Sequence, residues 1–262
     1  MLVALSAIAL YLGAALVLGA SLRQPERADN RSWLPLAVLA MVFHGELHAA
    51  AWRIANGPDM HFFAALSLAA LGMAVLTTLM GMLRRMAALG VIVFPVAAMF
   101  ALLYRLTGHA QPLALDWQLQ LHAWSALLAY AVLAIAALLA VLLWLQERAL
   151  RRREFHPWLR VLPPLTELET LLFRMIGLGF GLLGVALLSG ALFVHDLLGQ
   201  RLAHKTALSL LSWLVFGVLL YGRWRYGWRG RQAVRLTLLA MVLLVLAFFG
   251  SQFVYDFLLR RP

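Results

Sequence analysis

Cysteine is absent from this 262-residue chain. Its absence excludes disulfides, thiolate zinc sites, iron–sulfur clusters, cysteine nucleophiles and haem attached covalently through thioethers. Charged residues are also scarce, at 13% of the chain, whereas soluble proteins carry about a quarter. Hydrophobic residues make up 64% of the chain and the mean hydropathy is +0.86. This balance excludes a soluble enzyme and a disordered chain, and it predicts an integral membrane protein.

Eight stretches are long and apolar enough to cross a bilayer, which takes about 20 residues of helix. In chain order they are Leu2–Leu22, Trp33–Trp52, His61–Leu83, Met86–Tyr104, Leu119–Leu145, Thr170–Val194, His204–Tyr221 and Val234–Leu258. The connections between them are short, and none is long enough for a separate soluble domain. The sequence therefore predicts an all-α integral membrane protein, with a single transmembrane domain of eight helices over residues 1–262.

The basic residues are distributed unevenly between the two sides of the predicted bundle. One set of connections holds 15 arginines, whereas the other set and the end of the chain hold 6 basic residues. Because basic residues accumulate in cytoplasmic loops, both termini are predicted to lie on the outer side. The first helix does not have the pattern of a signal peptide, since its first arginine, Arg23, follows the apolar run. The basic excess is expected to meet anionic lipid headgroups and not nucleic acid.

Seven of the eight histidines fall on the predicted outer side, and only His156 falls on the cytoplasmic side. Neutral imidazole is a common metal ligand and an axial ligand of haem iron. The clustering therefore indicates a metal or haem site at the outer face. The alternative is that these histidines are amphipathic residues of the membrane interface. The outer seven are His44, His48, His61, His109, His122, His195 and His204.

His44 and His48 are four residues apart, which places them on one face of the second helix, about 6 Å apart along its axis. One helix cannot supply both ligands on opposite sides of the same iron, so a ligand pair must combine two elements. His122 and His204 share a depth near the outer face and are the first choice. Glu46 either orients a histidine of a neighbouring helix or is a buried acid, paired with an arginine or protonated. Glu46 lies two residues after His44, whereas the His-Glu-x-x-His motif of zinc proteases has the glutamate directly after the first histidine.

Other features have mainly structural interpretations, and no residue pattern indicates a nucleotide site or a hydrolase. The chain is therefore not expected to be an enzyme. Three tryptophans near the outer face favour an interfacial belt, although walls of a haem pocket are the alternative. They are Trp52, Trp117 and Trp124.

Two further patterns concern the sixth helix. Thr166 and Glu169 match a capping box, in which Thr166 caps the helix start and Glu169 folds back onto it. The glycines at 177, 181 and 184 are expected to allow close approach of a neighbouring helix.

Four segments resemble a known family, the cytochrome c assembly proteins of the CcsA, CcmC and HemX group. His122–Tyr130 is similar to that family's outer histidine and the helix that follows it. Leu188–Phe193 and His204–Trp213 resemble the end of the next helix and the start of the one after. Gly227–Arg231 resembles the family's basic cytoplasmic turn. The resemblance is clearest over residues 118–255.

The resemblance implies haem handling at the outer face of a bacterial inner membrane, with His122 as an axial ligand. In the family, a tryptophan-rich outer loop also holds the haem edge. This chain departs from that pattern, because His195–Lys205 contains no tryptophan and Tyr255–Leu259 lacks the second flanking histidine. The complete haem-presenting surface of a cytochrome c synthase is therefore absent, and the chain resembles the short HemX-like branch.

The leading hypothesis is a multi-pass inner-membrane protein that binds b-type, non-covalent haem and assists cytochrome c or haem-protein assembly. Its role would be that of a carrier, chaperone or export component. The expected partners are membrane lipid, haem and other cytochrome assembly or haem-biosynthesis proteins. The alternatives are a regulatory or structural membrane partner without haem and a small-molecule transporter. The expected haem contacts are His122 and His204 as iron ligands, then His48, His44 and His195, with Arg201 and Lys205 at the propionates and Trp124 beside the ring.

Overall fold

A computed structural model describes residues 1–23, 31–55, 57–83, 86–107, 116–153, 162–193 and 203–250. These residues form eight helices long and apolar enough to cross a membrane, and no strand occurs among them. The prediction of an all-α membrane protein with eight spans is confirmed. The helices are α1 (Leu2–Arg23), α2 (Trp33–Ala55), α3 (Phe62–Met82), α4 (Gly90–Thr107, preceded by a 3₁₀ turn at Ala87–Leu89), α5 (Trp117–Arg151), α6 (Leu165–Phe193), α7 (Ala203–Tyr226) and α8 (Arg231–Val245).

The predicted end of the eighth helix, at Leu258, lies outside the described residues. α5 ends six residues after its predicted end and α6 begins five residues before its predicted start. α5 has 35 residues and is about 53 Å long at the α-helical rise, longer than the hydrocarbon core of a bilayer. Its last turns, from Gln146 to Arg151, continue the helix because glutamine, glutamate, arginine and leucine are good helix formers. α6 begins at Leu165, directly after two prolines that suit a helix start.

The predicted capping box at the start of α6 is wrong. Thr166 lies inside the helix, one residue after its start. The Glu169 carboxylate accepts a hydrogen bond from the backbone N–H of Gly230, at 2.7 Å, and so serves the turn between α7 and α8. Glu169 therefore bonds to Gly230, 61 residues away in sequence, and not to the start of its own helix.

The described helices belong to two compact units, and the prediction of a single domain stays a prediction. The N-terminal unit comprises residues 1–115 and 149–164, and the C-terminal unit comprises residues 116–148 and 165–262. In the N-terminal unit α1 packs against α2 and α4, and α3 packs against α4. α1 turns small side chains inward, with Ala7 and Ala14 fully buried on either side of Tyr11.

Within the C-terminal unit, α7 packs against α6 and α8. A Cβ added at Gly179 would lie 2.5 Å from the Leu133 side chain, so this glycine permits contact between α5 and α6. At Gly184 it would lie 3.2 Å from Trp213. Gly177 and Gly181 have no neighbour within 4 Å of an added Cβ. The expected close approach is therefore wrong for Gly177 and Gly181 and holds for Gly184.

Two adjacent threonines in α3 differ in how their hydroxyls are satisfied. Thr78 donates to the carbonyl oxygen of Ala74, one turn earlier, at 2.8 Å. Thr77 is fully buried, and within the described part of the chain its hydroxyl oxygen has no hydrogen-bond partner. Burial of an unsatisfied hydroxyl opposes folding.

Candidate functional site

His122, in the C-terminal unit, has an imidazole whose orientation is fixed by α6. It is the sixth residue of α5 and half-buried. Its Nδ1 lies 2.8 Å from the backbone carbonyl oxygen of Ala186. Because a carbonyl oxygen can only accept, Nδ1 carries the hydrogen and donates it. In the neutral ring, Nε2 is therefore the nitrogen with the available lone pair.

Gly190 provides the space in which the His122 ring lies against α6. A Cβ at this position would be 3.0 Å from Cε1 and 3.1 Å from Nδ1 of His122. An alanine at this position would require the ring to move by a few tenths of an ångström. The hydroxyl of Ser189 also donates to the Ala186 carbonyl, at 3.0 Å. A glycine and one backbone carbonyl of α6 thus set both the position and the tautomer of His122.

The other expected haem contacts of this unit are less organised. His204 is exposed in the first turn of α7, beside the half-buried Lys205, and Trp124 is half-buried in α5. No hydrogen bond or ring contact joins His204 to His122 among the residues that the structure describes. His195 and Arg201 lie outside the described residues. Over the described ranges, no three histidine, aspartate or glutamate side chains are grouped closely enough to hold a metal ion.

His44 and His48, in the N-terminal unit, both approach the hydroxyl of Ser67 in α3. The distances from Ser67 Oγ are 2.7 Å to His44 Nε2 and 3.0 Å to His48 Nε2. The expected common face of α2 is correct, since the two rings lie 5.6 Å apart. His44 Nδ1 is also 3.2 Å from the Tyr11 hydroxyl of α1. Both nitrogens of the buried His44 ring are therefore engaged within the protein.

A second set of polar side chains lies towards the start of α3. The ring of Tyr104 stacks on His48 with centroids 4.3 Å apart, and its hydroxyl donates to Asp59 at 3.4 Å. Asp59, only 7% exposed, also accepts from Nδ1 of His61 at 2.5 Å and from the His61 backbone N–H at 3.2 Å. Nε2 of His61 is buried and has no partner in the described part of the chain.

Together these seven residues form the N-terminal polar cluster, which combines two hydrogen-bonded groups joined by one stacked ring pair. Its members are Tyr11, His44, His48, Asp59, Ser67, Tyr104 and His61. The sequence predicted the two histidines of α2 but missed the roles of Tyr11, Ser67 and Tyr104. The available signal was polarity inside apolar spans, which is costly in a membrane and indicates a structural or functional partner.

Glu46 pairs with Arg53 seven residues further along the chain, and both side chains are substantially exposed. Of the interpretations offered by the sequence, arginine pairing is the correct one, although the acid is exposed and not buried. Asp59, which is nearly buried, is the carboxylate that orients a histidine, and that histidine is His61.

Comparison with known proteins shows which family this chain resembles. The profile described as Cytochrome C assembly protein matches residues 30–259. Inner membrane protein YpjD of Escherichia coli is 30% identical over 233 residues, covering 86% of this chain and 88% of that protein. An uncharacterized 28.8 kDa protein of Azospirillum brasilense is 41% identical over 143 residues, covering 54% and 53% of the two chains. Protein HemX of Brevibacillus brevis is 30% identical over 131 residues, covering 49% and 48%.

The matched region thus spans about half the length of the Azospirillum and Brevibacillus relatives and most of the Escherichia coli relative. No solved structure matches the chain. The eight spans and the inner-membrane relative identify a multi-pass inner-membrane protein, as the sequence predicted. The family match covers most of the sequence, and the resemblance first noted in four short segments is confirmed. The chain belongs to the cytochrome c assembly protein family.

Proposed function

We propose that this protein binds haem non-covalently at the outer face of the inner membrane and assists cytochrome c assembly. Membership of the cytochrome c assembly protein family supports the process. The role of a carrier, chaperone or export component is preferred to that of a synthase, because the segment His195–Lys205 contains no tryptophan. Such a segment lacks the flat aromatic surface on which a macrocycle could rest while its edge is exposed for thioether formation.

The observation that carries the proposal is the orientation of His122. Its Nδ1–H is held by the Ala186 carbonyl, which leaves the Nε2 lone pair for an iron ion. Iron- and zinc-binding histidines commonly donate their second nitrogen to a carbonyl or a carboxylate in this way, which fixes the ring and raises its basicity. The residue type, the tautomer and the absence of cysteine all fit a histidine-ligated, non-covalent b-type haem.

The remaining contacts of the proposed site come from neighbouring segments of the sequence. His204 is the preferred second ligand, since it begins a different helix near the same predicted depth. Lys205 and Arg201 would pair with propionate groups, because charge-assisted hydrogen bonds to carboxylates are strong. Trp124 would lie beside the ring system, and His195 is a reserve ligand on the same outer segment.

In this proposal the N-terminal polar cluster contributes to the fold and not to the binding of iron. Both nitrogens of His44 are engaged, and His48 bonds the same serine. Iron binding by His44 would have to break a hydrogen bond that is already made within the protein, and iron binding through Nε2 of His48 would break its bond to Ser67. Sequence spacing alone gave these two residues a place among the ligands, whereas their contacts favour a structural role.

The test is the absorption spectrum of the purified protein, before and after addition of haemin. The wild-type protein is expected to show the Soret and α/β bands of a histidine-ligated haem. His156→Ala, on the predicted cytoplasmic side, is the control and should leave those bands unchanged. A wild-type protein that acquires no Soret band under either condition would reject haem binding and favour the alternative of a membrane partner without haem.

A further inference from the structure

The turn between α7 and α8 is held by a hydrogen bond to one acidic side chain of the C-terminal unit and packs against a second. Gly227 and Gly230 have φ angles of 67° and 58°, which glycine adopts without strain and other residues do not. The backbone N–H of Gly230 donates to Glu169 of α6 at 2.7 Å. A Cβ at Gly230 would lie 2.8 Å from Oε1 of Glu147 in α5. The turn is therefore closely fitted to its neighbours.

One arginine of this region points inward and helps to build the turn. Arg223 donates from Nη1 to the carbonyl oxygen of Trp228 at 3.2 Å and lies 3.8 Å from the Glu169 carboxylate. Its guanidinium also covers the ring of Phe173 at 4.7 Å. The Trp228 ring packs directly over Gly222, where an added Cβ would lie 2.2 Å away. The carboxylate of Glu169 is thus occupied by the backbone of Gly230 and by Arg223.

Besides the exposed Arg225, whose guanidinium lies over the ring of Tyr226, three further arginines are exposed, at positions 229, 231 and 235. Within the ranges that the structure describes, no side chain or carbonyl accepts a hydrogen bond from these three guanidinium groups. Arg231 and Arg235 are four residues apart in α8, so they share one face of the helix. The outer side of the turn therefore carries positive charge that forms no hydrogen bond with the described residues.

Aromatic side chains are exposed at the end of α7, in the same turn, and the guanidinium of Arg225 lies over the ring of Tyr226 at 5.8 Å. Trp224 is 80% exposed, Tyr226 is 65% exposed and Tyr221 is 54% exposed. Exposed rings at the end of a spanning helix are typical of the level of the lipid headgroups. Cations beside exposed rings at that level fit a ligand with an anionic head and an apolar tail.

We propose that this surface, the arginine turn (residues 221–235), binds one anionic phospholipid of the membrane. The phosphate oxygens would accept hydrogen bonds from Arg229 and Arg231, since the guanidinium fork matches two phosphate oxygens. The acyl chains would lie along Trp224 and Tyr221. The rigid turn fixes the spacing of the cations before the lipid arrives, which reduces the entropy lost on binding.

The test compares thermal unfolding of the protein in nanodiscs of phosphatidylcholine alone and in nanodiscs that also contain phosphatidylglycerol. The wild-type midpoint is expected to rise with phosphatidylglycerol. In Arg229→Ala/Arg231→Ala most of that rise should be lost. The matched control, Arg152→Ala/Arg153→Ala, removes two exposed arginines that directly follow α5 and should keep the rise. Equal losses in the two double variants would overturn the proposal, because they would indicate a general charge effect.

A second measurement on the wild-type protein needs no variant. Raising the salt concentration should diminish the phosphatidylglycerol effect, because these exposed cations are screened within a Debye length. Inorganic phosphate added to phosphatidylcholine nanodiscs should produce no comparable rise, since it has no acyl chain to meet the rings. A rise with phosphate alone, or a phosphatidylglycerol effect that is unchanged at high salt, would reject a lipid site of this chemistry.

Discussion

The two units of the molecule satisfy their buried polar side chains in different ways. In the N-terminal unit these groups bond chiefly to one another, as in the contacts of Ser67 with His44 and His48. In the C-terminal unit some of them bond within their own helix, as Ser125, Ser189 and Thr237 do, and others bond to backbone carbonyls of neighbouring helices. Those bonds run from His122 to Ala186, from Tyr130 to Leu244, from Ser212 to Ala240 and from Trp213 to Phe180.

The difference bears directly on which histidine can take a ligand. A histidine bonded through both nitrogens, such as His44, uses its donor and its acceptor in hydrogen bonds within the protein. A histidine that donates to a carbonyl keeps its second nitrogen and gains a fixed orientation, as His122 does. The concentration of histidines in α2 is therefore a weaker sign of a ligand site than the single oriented histidine of α5.

The strongest test of this contrast is a pair of alanine variants compared for haem and for stability. His122→Ala should lose most of the haem absorbance, because it removes the proposed iron ligand, while the protein stays folded. His44→Ala should instead reduce stability, because Tyr11 and Ser67 lose a buried partner. Haem content per protein and unfolding in detergent are measured on both variants. The reverse pattern, with haem lost from His44→Ala only, would invert the comparison.

The next effect is expected at Ser67, on which two imidazoles depend. Ser67→Ala leaves both without this partner in an apolar environment, so the free energy of unfolding should fall by about 1–3 kcal/mol. The control is Ser125→Ala, since the Ser125 hydroxyl donates only to carbonyls of its own helix. Denaturant titration of both proteins gives the two values. Ser67→Thr retains the hydroxyl and should recover part of the loss. Equal free energies of unfolding for Ser67→Ala and Ser125→Ala would show that the N-terminal polar cluster adds little stability.

The smallest effect concerns Gly190, which lies beside the His122 ring. Gly190→Ala should move that ring by a few tenths of an ångström, so haem is expected to bind several-fold more weakly or with shifted bands. Gly181→Ala, in the same helix, meets no atom within 4 Å and should change neither property. Haemin titration followed by absorbance measures the difference. Identical titrations for the two variants would mean that the packing of His122 against α6 does not determine its ligand role.

The eight spans could be predicted because each is a local property of some twenty apolar residues. The helix ends could not be predicted equally well. The last turns of α5 are polar, so a hydrophobicity pattern stops before the helix does. Spacing also gave no means to choose among the glycines of α6, because contact depends on which face meets a neighbour. Gly179 and Gly190 make that contact, whereas Gly177 and Gly181 do not.

The candidate site was predictable in its residue types and not in its contacts. The four-residue spacing of His44 and His48 was sufficient to place them on one face. Their partners Tyr11 and Ser67 come from α1 and α3, and only tertiary packing brings them near. The carbonyl that fixes His122 belongs to Ala186, 64 residues away, and a backbone acceptor leaves no mark in an amino-acid sequence. The orientation of the termini stays a prediction from the arginine distribution.

The buried hydroxyl of Thr77, which has no hydrogen-bond partner among the described residues, offers a position at which the protein can be stabilised by substitution. Valine has nearly the shape of threonine, with a methyl group in place of the hydroxyl. Thr77→Val would remove a buried polar atom that forms no hydrogen bond in the described part of the chain, and would raise the melting temperature of the detergent-solubilised protein. The expected gain is about 1 kcal/mol, within the range of single stabilising substitutions. Because Thr77 lies outside the residues of both proposed sites, the variant offers a longer-lived protein in which haem and lipid binding can be measured unchanged.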